Sequence, residues 1–550
     1  MKQRVLKVHP NDNMLVALSP LKKGESIDYQ GETYLVLEEI AAKHKMAAID
    51  FSPGDSIIMY GVLVGKAQHH ISKGSWIHTF NVKHAAESVS LGERKTTWTP
   101  PDVSAFQSRT FLGYHRPDGR VGTANYWIVL PLVFCENRNL AILKEALISD
   151  LGYNLSHSYK QYTQALISLY QAGDTVENVA QITFDTAKET YPSPRVFPNV
   201  DGVKFLSHDM GCGGTRQDAQ ALCGLLAGYI THPNVAGATV LSLGCQNAQQ
   251  QMLEEEIQKR GGIQGKPIYF LEQQQLGTEE ALITQAIQQT FLGLIEANKI
   301  TRQPAPLSKL TIGLECGGSD GFSGISANPA IGHTSDLLVA LGGSVILSEF
   351  PELCGVEQEL SDRCLQATDA QRFLDLMTTY SQRATEAGSG FDMNPSPGNI
   401  KDGLITDAIK SAGAAKKGGG SPIVSVLDYP EQVTKPGLTL LCTPGNDVES
   451  TTAEVGSGAT IVLFTTGLGT PTGNPIAPVL KVSSNTQLAQ KMSDIIDIDT
   501  GSIIEGTESL EETGERILEY VIAVASGQKV AKAVQNQQDD FIPWKRGVSL

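Results

Sequence analysis

Along the first ninety or so residues, apolar and polar positions alternate in short runs, Met14–Leu18, Glu32–Leu37, Ser56–Tyr60 and Ser75–Phe80, each bounded by Gly, Pro or Asp. A period of two broken by turn residues predicts a small all-β module over residues 1–92. Pro100 and Pro101 disfavour helix in the residues before them, so 93–108 reads as an extended linker. From residue 109 the pattern changes. Continuous apolar runs, Val203–Ser207, Ala238–Leu243, Thr311–Leu314, Ser344–Ser348 and Leu438–Leu441, alternate with helical patterns such as that from Gln217 to Ile230. Strands that are apolar on both faces and alternate with helices predict parallel sheets, hence an α/β fold. The Pro-containing stretch Thr301–Pro306 reads as a second linker, dividing a middle α/β unit (109–305) from a C-terminal one (306–550). Residues 152–198 are weakly periodic and read as a helical insertion.

Composition narrows the class. The chain has 550 residues, 41% hydrophobic and 19% charged, which is ordinary for a globular protein of several domains. Its 54 glycines exceed the roughly 40 that average usage gives, and glycine collects where backbone bends sharply or approaches a ligand. A net charge of -16 without a long basic run argues against a nucleic-acid partner. No stretch of 18 apolar residues occurs and the N-terminus lacks an apolar signal core, so no membrane span is expected and a cytoplasmic location is. Eight widely spaced cysteines then read as thiols or metal ligands rather than disulfides.

Five predicted strands end in a loop that carries a cysteine: Cys212, Cys245, Cys316, Cys354 and Cys442. Ligands of open parallel sheets bind at the carboxyl ends of the strands, where residues distant in sequence gather. The same loops hold Glu315 and Asp320, Glu349 and Glu352, Asp447, and His208 with Asp209. Thiol, imidazole and carboxylate together are the inventory of a transition-metal site. Cys223 and Cys364 fall in helical patterns and read as buried structural thiols. The β-module adds His44, His69, His70 and His78; His78 reads as a ligand, while His69, His70 and the nearby His84 read as solvated or core-satisfied.

At these residues the chain resembles the altronate dehydratase/galactarate dehydratase family. The blocks that carry the resemblance are His44-Lys45, Tyr60-Gly61 and His78-x-x-Asn81, the stretch Gly113 to Tyr126, His208 to Gly214, and Gly244-Cys245-Gln246-Asn247. Further on they are Gly313 to Gly324, Asn394 to Asn399, and Pro444-Gly445-Asn446-Asp447. The resemblance implies a small all-β SAF (β-clip) module followed by two α/β units. It implies a hydro-lyase that converts a sugar acid, altronate before galactarate, to a 2-keto-3-deoxy acid and requires ferrous iron; a homo-oligomer is expected beside it. Phe80 stands where the family often has a second histidine, which weakens a double-histidine metal reading.

Dehydration beside a carboxylate needs a base for the C2 proton and an acid for the leaving hydroxide. Lys45 and His208 are the base candidates, and Glu315 and Asp320 are the acid or ligand candidates. Arg120 is the candidate carboxylate clamp, with His44, Tyr60, Asn81, Asn125, Asn446 and Asp447 as further substrate contacts. Iron would be held by His78, Cys212, Cys245 and Cys316, as a mononuclear ferrous ion or as a cluster on Cys212, Cys245 and Cys316. Two other classes stand beside this one. A dinucleotide oxidoreductase would need a G-x-G-x-x-G turn, of which Thr466 to Thr470 is a weak echo. A non-catalytic sugar-acid-binding protein would need a pocket but not the thiol-rich strand tips.

Overall fold

The computed structural model describes residues 3–87, 89–92, 97–154, 158–183, 194–263 and 265–550. Its N-terminal module is all β. Val5–Leu6, Met14–Ala17, Lys45–Ala47 and Trp76–Ile77 form one antiparallel sheet in that order, flanked by the hairpin Ser26–Tyr29/Glu32–Leu35. A second sheet joins Ser56–Met59, Val62–Ala67 and Val82–Lys83. The expected run through Ser75–Phe80 is shorter as a strand, because Asn81 closes a turn there: its side chain accepts from His78 N at 2.8 Å and donates to Trp76 O at 2.8 Å.

The middle unit is a four-stranded parallel sheet ordered Gly202–Phe205, Tyr126–Pro131, Val235–Ser242, Ile268–Glu272. Val235–Ser242 is buried at every position, as an inner strand with both faces covered must be. Its helices include Asn137–Ile148, Arg216–Thr231, Gln250–Lys259 and Glu279–Ala297. The insertion contributes helices Ser158–Gln171 and Val176–Gln181, while its residues 155–157 and 184–193 lie outside the described residues, as do 93–96 of the linker.

The second linker is a correction. Gln303–Pro306 is an edge strand, paired antiparallel with Thr110–Gly113. Pro304 and Pro306 lack an N–H, and an edge position tolerates this because one side of such a strand needs no donor.

The C-terminal unit holds a seven-stranded, wholly parallel sheet, ordered Ile423–Asp428, Gly437–Cys442, Ser344–Leu347, Thr311–Cys316, Ile461–Thr466, Val479–Ser483, Ile498–Asp499. Thr311–Cys316 is the central strand. One hydrophobic core runs from the N-terminal module (Met14, Phe51, Tyr60) into this unit (Phe322, Leu404, Ile409), and a second joins the middle unit to it. At that junction helix Arg216–Thr231 meets helix Asp447–Gly456 so closely that a Cβ on Gly228 would lie 2.1 Å from Gly456 O. Among the described residues, no helix is long and apolar enough to cross a membrane.

Candidate active site

Cys316 is the last residue of the central strand. The neighbouring strand ends at Leu347, and Glu349 then adopts a left-handed backbone (φ 61°) that turns the chain into the short helix Phe350–Leu353. That turn brings two carboxylates onto one thiol. Cys316 Sγ donates to Glu352 Oε2 at 3.1 Å and lies 3.4 Å from Glu349 Oε2, which also accepts from Cys316 N at 3.1 Å. Helix Asp407–Ala415, N-capped by the Thr406 hydroxyl, and the turn after it supply two ammonium groups. Lys410 Nζ donates to Glu352 Oε1 at 2.6 Å and to Asn394 Oδ1 at 2.7 Å, and Lys417 Nζ donates to Glu349 Oε2 at 2.8 Å.

All five of these groups are buried, Lys410 being the most accessible at 9% and Lys417 among the least at 1%. Isolated charges there would cost several kcal/mol each, on the order of the effective penalty for buried ions, so the pairing is obligatory. Burial works against the Lys417 ammonium, but the carboxylates of Glu349 and Glu352 outweigh it and hold the group charged. The same balance keeps Lys410 charged through Glu352. Glu352 is likewise opposed by burial yet held below the ordinary carboxyl range by Lys410 and Lys417. Burial, then Glu349 and Glu352, push the Cys316 thiol far up, so it is a protonated donor.

A second layer of carboxyls holds protons. Glu315 is raised far above the usual range by burial, by Glu349 and by Glu454. Glu454 is pushed up to about 8, chiefly by burial. Asp447 is raised to about 7 by burial and by the nearby Glu349 and Glu352. One oxygen each of Glu315, Glu349 and Glu454 is buried without a hydrogen-bond partner. Asp447 is placed by Asn446, which caps helix Asp447–Gly456, and packs on Gly317, where a Cβ would lie 2.0 Å from Asp447 Oδ2.

Cys316, Glu349 and Glu352 offer ligand atoms within 4.8 Å of one another, the one such trio among the described residues. As folded, however, each carboxylate is engaged by an ammonium and the thiol keeps its proton. As paired, the donor set is an ion-pair network, and a divalent ion there would have to displace the Lys410 and Lys417 ammonium groups.

The N-terminal module docks beside this group. Lys43 Nζ reaches Asp320 Oδ2 at 3.0 Å and Asp402 Oδ1 at 3.2 Å. Lys45 is buried, donates to the carbonyls of Gly403 and Lys43, and is lowered to about 7 by burial, with Asp320 opposing. His44 lies 3.1 Å from Lys401 O and accepts from Trp76 Nε1 at 3.2 Å. Tyr60, also buried, packs its hydroxyl against Gly324 and Gly413. These glycines are needed for the approach: a Cβ on Gly324 would lie 2.3 Å from the Tyr60 hydroxyl, and one on Gly321 2.5 Å from Lys43 O.

Several residues expected at the site have other work. Asp320 accepts from Phe322 N, Ser323 N, the Ser323 and Ser484 hydroxyls and Asn485 Nδ2, besides pairing with Lys43, so its lone pairs are spent on holding the 318–324 loop. His208 has both ring nitrogens engaged, by Pro131 O at 2.8 Å and Met210 N at 3.2 Å, and burial lowers its pKa. Arg120 pairs with Asp118 and donates to Thr231 O at 2.7 Å. Asn125 binds Arg116, Asn199 O and Ala297 O just before strand Tyr126–Pro131. Arg120 and Asn125 therefore sit at the amino end of the middle sheet, opposite the thiol loops, and are not brought to this group. His78 meets Trp76 edge to face, ring centroids 4.2 Å apart, and Asn81 is spent on the turn. Cys212 and Cys245 are exposed on the middle unit, whereas Cys316 is buried in the C-terminal one, so no single-ion trio forms from them. Cys442 ends its strand as a buried thiol, and Cys354 is partly buried.

Sequence reading missed Lys410 and Lys417. They lie in a helix and a turn rather than at a strand tip, and nothing local marks a lysine as buried. It also missed Cys135, although the apolar run Tyr126–Pro131 ahead of it carried the same signal as the other thiol loops.

Known proteins match along the whole chain. The family model for the altronate/galactarate dehydratase SAF domain covers residues 3–85. That for the D-galactarate dehydratase/altronate hydrolase second domain covers 113–298, and that for the D-galactarate/altronate dehydratase C-terminal region covers 307–549. The chain is 33% identical to altronate dehydratase of Bacillus subtilis and 31% identical to altronate dehydratase of Escherichia coli, with 99% of both chains covered in each case. It is 31% identical to the L-threo-forming galactarate dehydratase of Escherichia coli, over 95% of this chain and 93% of that one. A parallel-sheet scaffold with a thiol–carboxyl–ammonium centre at its carboxyl edge, matched end to end by these relatives, belongs to the altronate/galactarate dehydratase family of hydro-lyases.

Proposed function

We propose that the chain dehydrates D-altronate to 2-dehydro-3-deoxy-D-gluconate. The two altronate dehydratases that match it over 99% of their length support the substrate. The observation that carries the chemistry is the chain of contacts Lys410–Glu352–Cys316–Glu349–Lys417 at the carboxyl edge of the sheet. An acidic protein that takes an acidic substrate needs local cations, and two ammonium groups are held there by buried carboxylates. Lys410, the more accessible of the two, meets the substrate carboxylate. Glu352, ionised beside it, takes the C2 proton, and Asp447, protonated up to about pH 7, gives a proton to the departing C3 hydroxyl. Lys45, His208, Glu315 and Asp320 act behind this front, as docking, loop-holding and proton-storing groups.

An anaerobic assay against a panel of hexonates and hexarates, following the 2-keto-3-deoxy product, tests the reading. Turnover of altronate alone supports it. Turnover of galactarate alone keeps the hydro-lyase and replaces the substrate. Binding of altronate without turnover by any preparation points to a sugar-acid-binding protein and overturns the reading. Lys410→Met is expected to lower kcat/KM by at least about 100-fold, the scale of losing one preorganised charge contact.

A further inference from the structure

Free cysteine is ordinarily among the most buried of residues. Of the eight here, those exposed are Cys135, Cys212 and Cys245, and they occupy the loops that follow three adjacent strands of the middle sheet, Tyr126–Pro131, Gly202–Phe205 and Val235–Ser242. The three loops are tied together. Phe134 N donates to Met210 O at 3.0 Å, and Asn247 N and Ala248 N donate to Gly211 O at 2.9 and 3.2 Å. Gly211, with φ +98°, folds the middle loop across the end of the neighbouring strand, where a Cβ would lie 2.0 Å from Leu132 O. A cavity of about 250 Å³ opens at Cys212, lined by Asp209 and Gly211 of the same loop, by Phe134 and Asn247 of the two neighbouring loops, and by Lys545 of the C-terminal segment.

Each loop also runs directly into a helix, Asn137–Ile148, Arg216–Thr231 or Gln250–Lys259. Three helix amino ends thus converge on one place, and their dipoles favour a negatively charged occupant. The sulfurs do not all lie within 4.8 Å of one another, which is wider than a single tetrahedral ion takes. A cluster, whose irons each bind one thiolate, takes ligands spaced more widely than a single ion does.

We propose that Cys135, Cys212 and Cys245 together hold a four-iron, four-sulfide cluster at the carboxyl end of the middle sheet. Each thiol releases its proton to solvent as its sulfur binds iron. The cluster arrives with equal ferrous and ferric iron, so ligation exchanges ligands and moves no electrons. With three protein thiolates, one iron is left for a ligand from outside the chain, and such an iron supplies Lewis acidity to a substrate hydroxyl or carboxylate. Cys316 is not one of the three: it lies in the other unit, buried against the carboxylates of Glu349 and Glu352. The existence of the cluster is independent of the dehydratase reading; only its role rests on it.

The test is anaerobic reconstitution of the full chain with ferrous and ferric iron, sulfide and a thiol reductant. Iron, sulfide, the visible absorbance of the cluster and electron paramagnetic resonance after reduction are then measured. About four irons and about four sulfides per chain are expected. Cys135→Ser, Cys212→Ser and Cys245→Ser should each lose most of both, while Cys316→Ser and Cys364→Ser keep them. Alkylation mapping of the unmutated protein guards against a variant that fails to fold: the three thiols should be labelled in the apoprotein and protected after reconstitution. One metal ion per chain without sulfide, equal labelling before and after, or cluster loss in Cys316→Ser but not in Cys135→Ser would overturn the proposal. A cluster in protein that turns over no sugar acid would leave the site standing and remove the dehydratase reading.

Discussion

Lys417 Nζ lies 2.8 Å from Glu349 Oε2, and both side chains are about 1% exposed. A pair so completely withdrawn from water is held by its geometry, and either member alone would be an uncompensated buried charge. Lys417→Met is therefore expected to destabilise the protein by roughly 3–5 kcal/mol, the range for breaking a buried pair. Glu349→Gln should cost a similar amount, and the double variant less than the sum of the two. Denaturant unfolding of the three variants measures this, and additivity would show that the two groups do not act as a pair.

Asp447 gives a sign that can be checked. Its folded pKa is raised from 3.8 to about 7, so folding favours its protonated form. That contribution is fully present below the unfolded value and is lost as pH rises through about 7, when a new anion appears beside Glu349 and Glu352. Asp447→Asn should flatten the decline of Tm between pH 4 and 7, and should remove an activity limb with an apparent pKa near 7.

Lys45 acts over a different pH window. Burial lowers it from 10.5 to about 7, so the folded state prefers the neutral amine. Between pH 7 and 10.5 the unfolded chain binds the extra proton, and stability gains as pH rises across that range. Lys45→Met removes this slope while keeping the aliphatic stem. An unchanged slope in thermal melts from pH 7.5 to 10 would show that Lys45 titrates normally.

The docking of the N-terminal module rests on two glycines. A Cβ on Gly403, whose φ is +96°, would lie 2.4 Å from Lys43 O, and one on Gly321 2.5 Å from the same atom. Gly403→Ala should cost on the order of 1–3 kcal/mol through overpacking and strain. It should also open residues 97–110 to limited proteolysis before the α/β units unfold. Proteolysis identical to that of the unmutated chain would show that the contact gives way without cost.

Activity should divide the sequence candidates by position. Arg120→Lys lies at the amino end of the middle sheet, where Arg120 binds Asp118 and Thr231 O. It is expected to lower Tm by only about 1 °C, the shift that a loss of about 1 kcal/mol from a fork-shaped contact makes in a chain of this length, with KM unchanged. A rise in KM of about 10-fold or more with Tm unchanged would return Arg120 to the substrate.

The fold was largely legible because its signals are local. Period-two alternation marked the small antiparallel module, and fully apolar runs such as Val235–Ser242 marked inner parallel strands, since a strand covered on both faces has no polar face to show. Thr301–Pro306 misled for an equally local reason: its prolines read as a break, but an edge strand can spare the missing donors. The strand-tip rule also placed Cys316, Glu349, Glu352 and Asp447 at one edge of the sheet. Other decisions belonged to the tertiary structure alone. Whether His208, Asp320 and Arg120 face a substrate or spend their hydrogen bonds on the scaffold depends on partners tens to hundreds of residues away, such as Pro131, Ser484 and Thr231. The ammonium groups of Lys410 and Lys417 came from a helix and turn that sequence shows only as ordinary lysine positions. The sequence by itself determined the elements, their order and the edge of the sheet where chemistry gathers, because these follow from residue periodicity. Which charges pair there, and which carboxyls keep their protons, was decided only by burial and neighbours, which exist once the chain has folded.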